Sequence, residues 1–269
     1  MTVTTSATEP PRAAGIHEEP QGPERAKRRR LQAARMAVPI GFLALWLTVS
    51  PLTELVSAPF ATIAELADGF LSGWIYEGLV ATASAVLMGF LLGTAAAFPI
   101  GYLLGRSTGL RRIFDPLIAG TFAVPRIILY PVLLAVFGVG LEAETGMVAI
   151  SAFFPILMAT TASVKQVSES LLKLGRSLRA SRLQTAAKIV IPDAAPGIMV
   201  GIRIGFSISF IAAIIAEFFA AKDGLGLMIS EAYASLELAR MYAIVLLILV
   251  IASVGNLVLW WLERRLRHG

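Results

Sequence analysis

Residues 168–196 read SESLLKLGRSLRASRLQTAAKIVIPDAAP, the only long polar interval inside an otherwise apolar chain. Between Lys165 and Lys188 it carries six basic residues and one acid, Glu169. Leu171, Leu172, Leu174 and Leu178 recur at roughly helical spacing. Ser181, with Gln184 three residues on and Ala186, Ala187 and Ile189 following, has the pattern of a capping box that opens a second helix. Pro192 and Pro196 are expected to stop that helix, because proline lacks the N–H and its ring clashes with the previous turn. The stretch is thus predicted to form two short amphipathic helices between two membrane spans. On periodicity alone, a basic surface loop and a docking platform for another protein stay equally open.

The flanking sequence makes the membrane setting plain. Of 269 residues, 57% are hydrophobic and only 15% charged, an apolar excess too large for a soluble domain of this length. Predicted spans cover about 36–56, 79–104, 113–137, 145–164, 194–219 and 240–262, each long enough to cross a hydrocarbon layer of about 30 Å. Pro125 and Pro131 are expected to break the third span, and Pro155 lies inside the fourth. Ala61 to Gly73 alternates Ile63, Leu66, Ala67 and Phe70 with Glu65 and Asp68, the pattern of an interfacial helix. Gly89/Gly93, Gly101/Gly105 and Gly197/Gly201/Gly205 repeat every fourth residue, which permits close helix approach. Residues 1–35 are polar, without apolar periodicity, and are expected to be a disordered basic cytoplasmic tail preceding a membrane domain over 36–269. The basic run Lys27 to Arg30 reads as an orientation signal, and no small-residue cleavage site follows it.

Charge assigns the sides. Nineteen of the 23 Lys and Arg fall in the N-terminal tail, at Arg106, Arg111 and Arg112, between Lys165 and Lys188, and at Arg264, Arg265 and Arg267. The alternate loops hold Glu54, Glu65, Asp68, Glu77, Glu142 and Glu144, with no basic residue before Lys222. This alternation predicts six spans, both termini in the cytoplasm, and the 168–196 loop on the cytoplasmic side. The net charge of +5 then reflects cytoplasmic loops rather than nucleic-acid binding.

Chemistry is sparse. The chain has no cysteine, so thiolate metal sites and cysteine nucleophiles are excluded; its two histidines, His17 and His268, sit in the tails. No Gly-x4-Gly-Lys-Ser/Thr loop, metal cluster, nucleophile elbow or dinucleotide fingerprint is present, so no cofactor is expected in this chain. Three ionisable residues fall within or beside the spans: Arg126, Arg203 and Glu217. Charge at membrane depth is a functional hypothesis by default. They read either as part of a translocation path or as an intramembrane ion pair, Arg126 or Arg203 with Glu217.

Several pieces, in order, resemble bacterial ABC importer permeases of the nitrate/sulfonate/taurine-type branch. They are Phe122-Ala123-Val124-Pro125-Arg126, Phe137-Gly138-Val139-Gly140, Phe153-Phe154-Pro155-Ile156-Leu157, Ala180-Ser181-Arg182, Ile191-Pro192, Ala195-Pro196-Gly197, Gly201-Ile202-Arg203, Ala216-Glu217 and Asp223-Gly224-Leu225-Gly226. The resemblance spans about Pro59 to Trp261 and places the "EAA" loop of that family at 168–196. It implies an all-α polytopic inner-membrane permease that pairs with a second copy of itself. It also implies a dimer of ATPase chains beneath, carrying ATP and Mg, and an extracytoplasmic solute-binding protein above. ATPase coupling would then fall on Leu171, Leu174, Leu178, Arg179, Ala180, Ser181, Arg182 and Pro192. One departure stands out. Where the family has Glu-Ala-Ala and then a glycine before Ala-Ser, this chain has Lys173-Leu174-Gly175 and Arg179. Either the partner ATPase carries complementary changes or coupling here is unusual. A secondary transporter working without an ATPase and a membrane enzyme are the two other classes left open.

Overall fold

A computed structural model describes residues 37–121 and 124–267, which form two units, Met1–Glu54 and Leu55–Gly269. The 1–35 tail, its basic run, Met36, Phe122 and Ala123 lie outside the described residues. In the first unit, helix α1 (Ala37–Leu52) is apolar and closes in a tight 3-10 turn at Ser50–Leu52 around Pro51. The described part of the first expected span is thus helical up to Leu52.

The second unit contains α2 (Pro59–Ser72), α3 (Tyr76–Arg106), α4 (Thr108–Thr121), α5 (Tyr130–Phe137), α6 (Leu141–Gln166), α7 (Glu169–Ser177), α8 (Arg182–Thr185), α9 (Ile191–Phe219), α10 (Leu225–Ala234) and α11 (Leu238–Arg267). No strand occurs among the described residues. Four helical segments are long and apolar enough to cross a membrane: Tyr76–Arg106, Leu141–Gln166, Arg182–Phe219 and Leu238–Arg265. Helix α4 and the segment Arg126–Phe137 pass the same test only together, as a pair bent by 90° that is either a broken span or a re-entrant loop. The break falls where Pro125 was expected to make it: Pro125 adopts extended backbone and caps a 3-10 turn, Arg126–Leu129. Pro131, by contrast, sits in the first turn of α5, where its missing N–H costs nothing, and breaks no helix. Among the described residues, four helices are therefore long and apolar enough to span, five if the bent pair is one span, against the six predicted.

Helix α6 is the centre of the second unit, packed between α3 and α9. The four-residue glycine stripes explain why. A Cβ on Gly89 would lie 2.6 Å from Val148 Cβ, one on Gly101 2.8 Å from Thr160 Cβ, and one on Gly105 2.6 Å from Val164 Cβ. On the other side, Gly197, Gly201 and Gly205 of α9 face Ser163, Ala159 and Ile156 of the same helix. Removing side chains along one stripe lets backbones touch, so dispersion between whole helix faces replaces the hydrophobic effect that lipid cannot supply. Thr161 Oγ1 donates to Gly101 O across this contact at 3.3 Å, and Ala97, Ala152, Ile156 and Leu157 form the buried cluster beside it.

Helix α2 matches the expected interfacial helix and stops at Gly73, whose φ of 92° closes the last turn. It is tied to α11 by Arg240, which meets Glu65 at 3.3 Å and Glu237 at 2.9 Å and stacks over Trp74 at 4.5 Å. At the far end of α11, Arg264 lies over Trp260 and Arg265 over Trp261. Paired cations and indoles of this kind anchor a helix end at a membrane–water boundary.

Candidate coupling surface and intramembrane polar sites

The polar loop folds into two helices, as its pattern predicts. Ser168 caps α7, accepting from Leu171 N. The Ser181–Gln184 capping box is fully formed: Gln184 N–H donates to Ser181 Oγ at 3.2 Å, and Ser181 N–H to Gln184 Oε1 at 2.8 Å. The leucines divide by face. Leu172 packs inward on the cluster of Val164, Val167, Val190, Ala194 and Ile198, which fixes α7 against the spans. Leu171 and Ala180 are half-buried, while Leu174, Leu178 and Leu183 are 53%, 72% and 79% exposed. Leu183 was not singled out from sequence. Its position two residues into a four-residue helix gives no periodicity to read, although a leucine after a capping-box serine is itself a signal.

Lys173, Arg176, Arg179 and Arg182 surround those leucines, all exposed, and Glu169 meets Lys173 at 4.0 Å. Arg179 has φ 52°, the left-handed region that costs a side-chain-bearing residue about 1–2 kcal/mol. Gly175 lets α7 lie on the following segment, since a Cβ there would come 2.8 Å from Ile189 Cδ1.

The expected stop at Pro192 and Pro196 does not occur. Helical backbone runs unbroken from Arg182 to Phe219, with Pro192 at the start of α9 and Pro196 inside it. The chain accommodates Pro192 by a π turn over Ala186–Val190, in which Ile191 N–H bonds Ala186 O five residues back. The wider turn makes room for a ring that an α turn would exclude. Exposed Pro192 thus lies at the start of α9, inside the continuous helix, and makes no break.

The three intramembrane charges are not brought together. Arg203 pairs with Glu263 of α11 at 3.3 Å, and beside it Asn256 Nδ2 donates to Ser207 Oγ at 2.8 Å. Arg126 stacks over the Phe154 ring at 5.6 Å. Glu217, fully buried, accepts from Thr82 Oγ1 at 2.8 Å and from Gly226 N–H at 2.9 Å; Thr82 in turn accepts from Leu225 N–H at 2.8 Å. The expected pairing of Glu217 with an arginine is thus corrected. Arg203 and Glu217 lie fourteen residues apart on one helix, about 21 Å at helical rise, beyond any side chain's reach. Glu217 instead caps the N-terminus of α10, where a carboxyl group satisfies otherwise orphaned N–H groups and complements the helix dipole. Gly224 precedes that helix with φ 125°, and a Cβ there would fall 2.6 Å from Glu217 Oε2, so glycine is needed for both conformation and space. Thr82 and Glu263 were missed from sequence: a threonine inside a span has no distinguishing pattern, and Glu263 fell one residue past the predicted end of the last span. No group of three His, Cys, Asp or Glu suited to a metal ion occurs among the described residues.

Comparison with known proteins turns this arrangement into an identity. Residues 89–268 match the family described as binding-protein-dependent transport system inner membrane component. The chain is 30% identical over 240 residues to the taurine transport system permease protein TauC of Escherichia coli (strain K12), covering 84% of this chain and 86% of that protein. It is 29% identical to the putative aliphatic sulfonates transport permease protein SsuC of the same organism, covering 84% and 87%. The riboflavin transport system permease protein RibX of Chloroflexus aurantiacus is 32% identical over 60% of each chain. Among solved structures, a chain of the inward-facing MetNI methionine ABC transporter superposes with a TM-score of 0.62 at 16% identity, covering 72% of this chain and 98% of that one, a likeness of fold. The secondary-transporter and membrane-enzyme alternatives give way to these matches. The chain belongs to the family of binding-protein-dependent transport system inner membrane components and is a multi-pass permease subunit of an ABC importer.

Proposed function

We propose that the α7–α8 elbow is the surface through which an ATPase subunit drives this permease. Both termini and the elbow would lie in the cytoplasm. A second copy of the chain completes the pathway, and a solute-binding protein delivers small solute from the other side. ATP and Mg are held by the ATPase, and this chain performs no covalent chemistry. The observation that carries the reading is the exposure of Leu174, Leu178 and Leu183 on a capped, charged elbow where α7 ends and the Arg182–Phe219 helix begins. Leu174 and Leu178 have the i, i+4 spacing of apolar anchors that insert in a partner's groove, and the surrounding cations form its rim. The inward anchoring of Leu172 and the unbroken helix from Arg182 to Phe219 give the elbow a stiff link to α9.

Burying a leucine is worth about 1.5–3 kcal/mol, more than an exposed rim charge. Leu174→Ala and Leu178→Ala are therefore each expected to weaken ATPase association about tenfold or more. Because both side chains are exposed, permease abundance in the membrane should stay at wild-type level. ATPase pull-down and membrane abundance, measured in parallel, check this; normal binding and normal ATP-driven uptake in both variants would sink the docking reading. The orientation is tested separately. The chain contains no cysteine, so a single cysteine at Ser177 is expected to react with an impermeant maleimide only in inside-out vesicles, and reaction in intact cells would reverse the assignment.

A further inference from the structure

Helix α7 ends in a Schellman turn, with Ala180 N–H donating to Gly175 O and Arg179 N–H to Arg176 O, both at 3.0 Å. The residue that closes such a turn takes left-handed backbone, and glycine is its usual occupant because a Cβ crowds the neighbouring carbonyl. Here the residue is Arg179, with φ 52°. Among the described residues only Leu236 shares a positive φ without being glycine.

Among the described residues no ion pair compensates for this choice. Arg179 is exposed, and among the described residues no carboxylate pairs with it. Glu169, the one acid between Lys165 and Lys188, is at Lys173. Arg179 sits in the exposed turn between α7 and α8, next in sequence to exposed Leu178 and three residues from exposed Arg176 and Arg182. A glycine at 179 would close the turn more easily and would remove one of the three arginine charges at 176, 179 and 182.

We infer that Arg179 is a partner-selecting residue, a cation held in a glycine position so that it meets an acidic patch on the ATPase subunit that docks on α7–α8. The inference rests on the docking reading proposed above and adds the chemistry of the partner. The cognate ATPase carries carboxylates facing the turn, and an ATPase with a neutral or basic surface there is discriminated against. Charge at an interface rim selects partners in this way, because juxtaposed like charges cost more than matched charges gain.

The test uses the full-length permease in nanodiscs and the ATPase chain that co-purifies with it, produced separately. Arg179→Gly removes the charge and relieves the backbone; Arg179→Lys keeps both. Arg179→Gly is expected to melt at a higher temperature than wild type and yet to bind the ATPase about fivefold more weakly at low ionic strength. At about 1 M salt, where screening shortens the reach of charge to roughly 3 Å, that difference should close. Arg179→Lys should bind within about twofold of wild type. Unchanged ATPase binding by Arg179→Gly at low salt overturns the inference, whatever its melting temperature. The leucine variants separate the two levels of the argument. If Leu174→Ala and Leu178→Ala lose binding while Arg179→Gly keeps it, docking stands and partner selection by Arg179 fails. If the wild-type chain binds no ATPase, both fail.

Discussion

Gly101→Val is expected to prevent recovery of the folded permease from the membrane, whereas Gly120→Val leaves recovery unchanged. Both glycines lie inside helices, so both substitutions bring the same β-branched side chain and the same change in helix propensity. They differ in what the new side chain meets. At Gly101 a Cβ alone would lie 2.8 Å from Thr160 Cβ and 2.9 Å from Leu157 O, and at Gly120 nothing lies within 4 Å. A flexible side chain could swing aside, but the Leu157 carbonyl is backbone of α6 and can retreat only if the whole helix does. That retreat breaks the Thr161–Gly101 hydrogen bond and opens the contact along Gly89, Gly93 and Gly105 together. Overpacking costs about 1–3 kcal/mol where side chains can adjust, and more where backbone blocks them. A loss of about 3 kcal/mol or more is a large share of a membrane domain's marginal stability. Monodisperse yield in mild detergent and the thermal unfolding midpoint read this directly. Equal yields and midpoints for the two variants would show that the α3–α6 contact is looser than its geometry.

These stripes are also where the sequence was most legible. A glycine every fourth residue has one economical explanation in an apolar helix, and both stripes turn out to face α6. The two-helix elbow was legible for a similar reason, because capping is local: Ser181 and Gln184 need only each other. The bend at Pro125 and the interfacial helix ending at Gly73 follow the same logic. What failed depended on more than local pattern. Pro192 was read as a stop because an α turn cannot hold it, but a π turn can, and nothing in Ala186-Ala187-Lys188-Ile189-Val190 announces one. The pairing of Glu217 treated three buried charges as a closed set, although helical rise alone separates Arg203 from Glu217 by about 21 Å. The true partner of Arg203 is Glu263, excluded by a boundary drawn at Leu262. Leu183 escaped because a helix of four residues is too short for periodicity to register.

The two arginines of special position now have distinct meanings. Arg203 is a matched charge, held by Glu263 between α9 and α11. Arg179 is an unmatched charge, placed where the backbone would prefer glycine. Matched charge at membrane depth holds helices together, whereas unmatched charge at an exposed turn is available to a partner. If the proposed docking holds, this contrast separates residues that maintain the permease from those that connect it to the ATPase.

Glu217→Ala is expected to loosen the N-terminus of α10 and to cost about 3 kcal/mol of stability, as a buried hydrogen-bonding group is lost from its partners. Gly226 N–H and the Thr82 hydroxyl would both lose their acceptor in a site that no solvent reaches, since Glu217 is fully buried and Thr82 is 1% exposed. Glu217→Gln keeps an amide oxygen of the same reach, able to accept from both, so its cost should be about 1 kcal/mol. Thr82→Val removes the acceptor of Leu225 N–H and the donor to Glu217 at once. Because Thr82 and Glu217 share a hydrogen bond, the Thr82→Val, Glu217→Ala double variant should lose less than the sum of the single losses. Capping acts on the first turn of α10, so hydrogen exchange should accelerate at Leu225 and Gly226 in Glu217→Ala, with Ala232 little changed. Amides at Leu225 and Gly226 that exchange as slowly in Glu217→Ala as in the wild type would show that α10 is held by packing alone. In that case Gly224 and the carboxyl group beside it would have some task other than fixing the helix. Accelerated exchange with a small loss in Glu217→Gln would instead assign the anchoring of α10 to one oxygen atom, delivered from α9 and steadied by Thr82 of α3.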